Sequence, residues 1–181
     1  MDIAELNKQN AYSDKVAKAQ LYVRNNYKSM SAKEIHDIAC KINSYNRPTS
    51  YCIIHLHFGL IELVNLIYKL RDTDSEAIDY CLKICDMDIA LYDTVRIASI
   101  KESGNDFVYT GALQRKIAIL EKRGEYLKAI ELCDIAIRNR YTKNAHESDS
   151  SSFIAQKDRI KKKLDKAQPN LKNIISKPTN K

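Results

Sequence analysis

The stretch "EYLKAIELC", residues 125–133, has a looser copy upstream in "TDSEAIDYC", residues 73–81, so the pattern Ala-Ile-acid-any-Cys is written twice, 52 residues apart. Laying residues 59–85 over 111–137 gives identities at Gly59 and Gly111, Ile67 and Ile119, Arg71 and Arg123, Ala77 and Ala129, Ile78 and Ile130, and Cys81 and Cys133. Both copies place an apolar helix, a short turn, then a small Ala followed by Ile and Cys at the spacing of one helix face. A small residue there lets two antiparallel helices approach closely while larger neighbours fill the space beside it. The doubled motif therefore predicts a helical hairpin used twice, over about 50–92 and 106–141.

Working outward, only 4 Gly and 3 Pro occur in 181 residues, so long helices meet few breakers. Tyr12, Val16, Ala19, Val23 and Tyr27 fall on one stripe and predict an amphipathic helix over 3–27. Ser31 with Glu34 reads as a capping box that opens a second helix over 31–46, buried through Ile35, Ile38, Ala39, Ile42 and Tyr45. Pro48 disfavours helix at Arg47, so a third helix begins near Thr49 and runs through "YCIIHLHFGLIELVNLIYKL", apolar nearly all round and the centre of the core. Thr73 with Glu76 reads as a second capping box, opening a fourth helix that carries Ala77, Ile78, Cys81, Ile84 and Cys85 and drifts into "ALYDTVRIASI". Asn105 or Asp106 caps a fifth helix to Arg123, Gly124 makes the turn, and a sixth runs from Glu125 to about Tyr141. A polar loop leads to a last helix over 152–167. The expected fold is all-α: a compact helical bundle or short solenoid of about seven helices in a single domain, 1–167, followed by a basic flexible tail, 168–181.

The segment "KIAILEKRGEYLKAIELCDIAI" resembles a tetratricopeptide repeat: Gly124 stands at the turn, Tyr126 two residues on, then Ala129-Ile130 and Ala136-Ile137 at the family's apolar and small positions. The stretch from Phe107 to Lys166 is also similar to the solitary repeat-like hairpins of many bacterial and phage proteins. Departures from the family are Ile117 where Gly or Ala is usual, Cys133 in place of an aromatic, Tyr141 where Pro would end the unit, and an offset longer than the usual repeat of about 34 residues. The resemblance implies two degenerate hairpins with capping helices and a non-catalytic adaptor that binds another protein or peptide. The family's groove-facing places fall here on Glu62, Leu66 and Lys69 of the third helix, and on Gln114, Ala118, Glu121 and Lys122 of the fifth. Leu66 and Ala118 read equally well as core.

Charge suggests a rival. The formal charge is +7, and residues 153–181 alone hold nine Lys or Arg against Asp158 and Asp165, which leaves the body neutral. Lys157, Arg159, Lys161, Lys162, Lys163 and Lys166 crowd one helix and could neutralise phosphates, which makes nucleic acid the alternative ligand. The cluster faces all round the helix without an aromatic for base stacking, so a solubilising cap competes with that reading. Self-assembly into a homo-oligomer is a further alternative.

Reaction chemistry finds no foothold. Phosphate loop, zinc-protease helix and nucleophile elbow are all missing, and the close carboxylates Asp86 with Asp88 and Glu102 with Asp106 read as solvated surface, so the chain is expected not to be an enzyme and to need no cofactor. Cys52 with His55, and Cys81 with Cys85, share helix faces and carry zinc-binding atoms, but cysteines in a helical core act as small hydrophobes, and no metal is expected. The odd count of five cysteines points to reduced, buried thiols. With no apolar run read as reaching a membrane span and no signal-like start, a cytoplasmic location without membrane contact is expected.

Overall fold

The computed structural model describes residues 2–47, 49–142 and 150–167, and among these every regular element is helical. The fold is all-α, as the sequence implies. The helices are α1 (Ile3–Asn26), α2 (Ala32–Asn43), α3 (Ser50–Lys69), α4 (Ala77–Ile89), α5 (Tyr92–Ser103), α6 (Gly111–Lys122), α7 (Tyr126–Arg138) and α8 (Ser151–Ala167), with a short 3₁₀ turn at Tyr27–Ser29. The basic tail and most of the expected polar loop, as well as Pro48, lie outside the described residues. Backbone contacts cluster into two units, 1–115 and 116–181, so α6 carries the division where the sequence suggests one domain.

In the first unit α3 packs against α1, α2, α4 and α5. By length and composition α3 is apolar enough to cross a membrane, contrary to the sequence expectation, but it reads as a core helix: Cys52, Leu56, Leu60, Leu63, Val64 and Ile67 are buried among its neighbours. Gly59 permits a close approach of α3 to α1 and α2. A Cβ there would lie 2.9 Å from Val16 Cγ1 of α1 and 3.7 Å from Ile42 Cδ1 of α2. Helix starts follow local chemistry. Asp2 accepts from Glu5 N at 2.7 Å, and Ser31 with Glu34 forms the expected capping box.

Three local expectations are corrected. Thr73 and Glu76 form no capping box: the Thr73 hydroxyl turns back to Leu70 O at 3.1 Å. The α4 start has no side-chain cap, and Asp74 just before it accepts from Glu76 N at 2.9 Å and from Ala32 N of α2 at 2.7 Å. The fourth helix does not drift onward but stops at Ala90, and α5 starts afresh at Tyr92, which turns Tyr92, Val95 and Ala98 inward as α5 packs on α3. That break is why the described residues hold eight α-helices. Finally, Asn105 does not start a helix; its side chain accepts from Phe107 N at 3.0 Å in a loop, and α6 begins only at Gly111.

In the second unit the α6–α7 turn is a Schellman closure, with Gly124 at φ +76°, Glu125 N bonded to Leu120 O at 2.9 Å and Gly124 N to Glu121 O at 3.2 Å. The small residues of the motif, Ala129, Cys133 and Ala136, are fully buried on α7. Helix α8 packs along α7 and buries Phe153 and Ile160.

Candidate functional site

The apolar stripe of α4 runs Ala77, Cys81, Ile84, Cys85, and one turn further it delivers Asp88, a fully buried aspartate. Across from it α3 delivers the fully buried His57, whose Nδ1 lies 2.7 Å from Asp88 Oδ1. Tyr92, at the start of α5, donates its hydroxyl to the same carboxylate and accepts from the backbone N–H of Leu113 at 3.2 Å. The three side chains form a continuous chain inside the first unit, from His57 through Asp88 and Tyr92 to the first turn of α6. His57 is braced edge-on against the Tyr92 ring at 5.7 Å.

Burial dominates the electrostatics. It pushes Asp88 above the usual carboxylate range, with the hydrogen bonds from His57 and Tyr92 pulling partly back. Burial likewise carries Tyr92 well above its ordinary value, helped by the neighbouring Asp88. Cys85 is raised well above a free thiol by its hydrogen bond with the Cys81 thiol and by burial. Within this trio of side chains, the buried His57 Nε2 and Asp88 Oδ2 have no hydrogen-bond partner. The expectation that Asp88 is solvated fails because it sits four residues after Ile84 and three after Cys85, on the helix's inward stripe. That spacing was readable. Asp86 is exposed, as expected.

The cysteines behave as core, with one exception. Cys52 is buried beside the Thr49 hydroxyl at 3.4 Å, and Cys81 donates to Val64 O at 3.7 Å. Cys40 is exposed, contrary to the expectation of buried thiols, and lies 3.7 Å from His36 Nε2. His55 packs tilted against the Tyr51 ring at 4.5 Å, and no group of three or more His, Cys, Asp or Glu able to hold a metal occurs among the described residues.

The expected groove residues do not share one open character. Glu62 accepts from Gln20 at 2.8 Å and pairs with Arg24, both on α1, while Leu66 is buried. Lys69 is exposed and lies over the Tyr27 ring. Gln114 is half-buried and donates to Thr110 Oγ1 at 3.0 Å. Ala118 and Lys122 are exposed, but the Glu121 side chain is only 9% exposed and is held by Arg159 and Lys163 of α8, each at 2.7 Å. Glu121 is thus not the free surface charge that the repeat mapping suggests.

The same pairings thin out the basic cluster. Lys157 pairs with Asp134 of α7, so three of its six cations are held by carboxylates of the second unit. Lys161, Lys162 and Lys166 are exposed, and Asp158 and Asp165 are interleaved with them on the outer side of α8.

Beside Glu62 and Lys69, sequence reasoning missed the aromatic part of the outer face of α3. Tyr51, His55, Phe58, Glu62, Asn65 and Lys69 recur at three- and four-residue steps, and Phe58 is 52% exposed. The Phe58 ring stacks on Tyr109 at 6.5 Å, itself 40% exposed. Further along, Tyr68 lies beneath the guanidinium groups of Arg71 at 4.7 Å and Arg115 at 4.2 Å. The face passes from aromatic at its start to basic at its end.

These features define an all-α protein with a closed polar chain in its core and an aromatic strip on one helix. The chain matches no protein-family model, and no curated protein or solved structure matches it significantly.

Proposed function

We propose that this chain is a non-catalytic helical adaptor, a tetratricopeptide-like module that binds a segment of another protein in a reducing, cytoplasmic setting. The observation that carries the reading is the strip along α3: Tyr51 and Phe58, with Tyr109 beside them, offer large, stiff apolar surface, and Phe58 is 52% exposed on a helix whose opposite side is core. Aromatic side chains on a rigid element lose little entropy on association and are the residue types that anchor interfaces. Because the strip ends among Lys69, Arg71 and Arg115, the fitting partner is a segment with aliphatic side chains followed by carboxylates. The repeat-like turn at Gly124 and the buried Ala129, Cys133 and Ala136 support the family likeness. The His57–Asp88 pair supports a structural role over a catalytic one, since both side chains are sealed from any substrate.

Of the groove drawn from the repeat family this reading keeps Glu62 and Lys69, which lie on the strip, and leaves out Leu66, Gln114, Ala118, Glu121 and Lys122. Nucleic acid is the weaker reading, because half the nominated cations on α8 are already paired. Capture from the native source with wild type and Phe58→Asp tests the proposal. A partner held by wild type and lost by the variant, at unchanged melting temperature, is expected. Retention of every partner at wild-type yield would remove the strip from the account, and a dimer in light scattering that Phe58→Asp dissociates would make a second copy its occupant.

A further inference from the structure

Beside the start of α3 the first unit holds a cavity of about 580 Å³ lined by α1, α3 and α5, a size within the roughly 300 to 1,000 Å³ of small-molecule sites. Its charged lining carries both signs equally: Glu5 of α1 and Glu102 of α5, with Arg47 just before α3 and Lys101 of α5. Among the described residues the side chains of Glu5, Lys101 and Glu102 make no ion pair or hydrogen bond, so an entering ligand has no existing pair to break. Arg47 is anchored. Its Nη2 donates to Asn43 O and to Asn43 Oδ1, while its buried Nε is left without an acceptor. The Thr49 hydroxyl donates to Gln9 Oε1 at 2.9 Å instead of capping α3, which leaves Gln9 Nε2 as a further unused donor. Ile53, Ile97 and Ala98 add an aliphatic wall, and Ile97 is 67% exposed.

We propose that this cavity binds a small zwitterion with an aliphatic body, a free amino acid or a dipeptide, its carboxylate taken by Arg47 and Lys101, its ammonium by Glu5 and Glu102, and its apolar part by Ile53 and Ile97. A simple anion would bring its charge beside Glu5 and Glu102, and a simple cation beside Arg47 and Lys101, so each meets a repulsion that a zwitterion offsets. An apolar ligand without acceptors would cover Arg47 Nε and Gln9 Nε2 and leave both unsatisfied. Glu5, Lys101 and Glu102 are exposed and screened by water, which sets the expected affinity in the weak, rapidly exchanging range. The cavity shares no residue with the aromatic strip, so this site stands whether or not the strip holds a protein partner.

The experiment titrates the full chain with L-leucine, the dipeptide dileucine, N-acetyl-L-leucine and L-leucinamide, followed through backbone amide chemical shifts. Leucine or dileucine should bind with a Kd of about 1 mM or tighter, shifting the amides of Ser50, Ile53, Ile97 and Ala98, and each blocked leucine should bind about tenfold more weakly or worse. Binding of either zwitterion supports the site, and the tighter of the two identifies the free amino acid or the peptide as its source. The double variant Lys101→Gln with Glu102→Gln changes two exposed side chains that hold nothing else, so it should keep the wild-type melting temperature and lose about tenfold in affinity. The proposal is overturned by no binding of either zwitterion at about 20 mM, by a blocked leucine that binds as well as leucine, by shifts centred on other residues, or by a double variant that binds like wild type.

Discussion

The two units of this chain differ in where they place ionisable side chains. In residues 1–115 an aspartate and a histidine are drawn completely into the core and face one another at 2.7 Å. Among the described residues of 116–181 the buried side chains run from Ala129, Cys133 and Ala136 to Phe153 and Ile160 with no buried charge, and Glu121 takes Arg159 and Lys163 at the rim. The difference teaches where single substitutions matter. A buried pair contributes little beyond a well-packed apolar alternative, yet losing one member leaves the other buried and unpaired, whereas a rim carboxylate can be replaced with water standing in.

The largest effect should come from Asp88→Ala. It strands His57 Nδ1 and the Tyr92 hydroxyl together, and breaking such a pair costs about 3 to 5 kcal/mol, read by denaturant midpoint. A cost under about 1 kcal/mol would erase the contrast between the units. Next comes the apolar core of the second unit. Ala129 is fully buried, and Ala129→Leu should destabilise by about 1 to 3 kcal/mol through overpacking. An unchanged melting temperature would mean that α7 has room beside it and that the small residue of the doubled motif serves no close packing. The smallest effect belongs to Glu121→Gln. Arg159 and Lys163 are about half exposed and can hydrate, so a loss of about 1 kcal/mol or less, shrinking in high salt, is expected. A loss matching that of Asp88→Ala would show that the rim is as demanding as the core.

How much of this was legible in the residues follows from the range of the forces involved. The helices α1, α2, α3, α7 and α8 follow from periodicity and caps, because the signals lie within one or two turns: Ser31 with Glu34, the stripe of Tyr12 and Val16, Gly124 at the turn. Boundaries set by tertiary demands were not legible. Nothing local ends α4 at Ala90, where the chain turns so that Tyr92 can reach Asp88 and Leu113, and Thr73 loses its capping place because Asp74 is also drawn to Ala32 N, 42 positions earlier. The buried pair was half legible. Asp88 falls on the inward stripe of α4 by spacing alone, but the identity of its partner depends on how α3 and α4 are set against each other. The aromatic strip was hidden for a related reason: α3 is apolar all round, and only the packing tells which face its neighbours leave open.

The central claim is that the first unit is organised around a mutually dependent buried pair. A double-mutant cycle with Asp88→Ala, His57→Ala and the combination of both tests it most directly, with stabilities from denaturant unfolding near neutral pH. The account predicts strong non-additivity: each single change costs several kcal/mol, while the double variant costs little more than the worse single, because the second substitution removes the group that the first left stranded, giving a coupling of about 2 kcal/mol or more. Additive costs, with a coupling under about 0.5 kcal/mol, would contradict it and reduce His57 and Asp88 to two separate occupants of the same core.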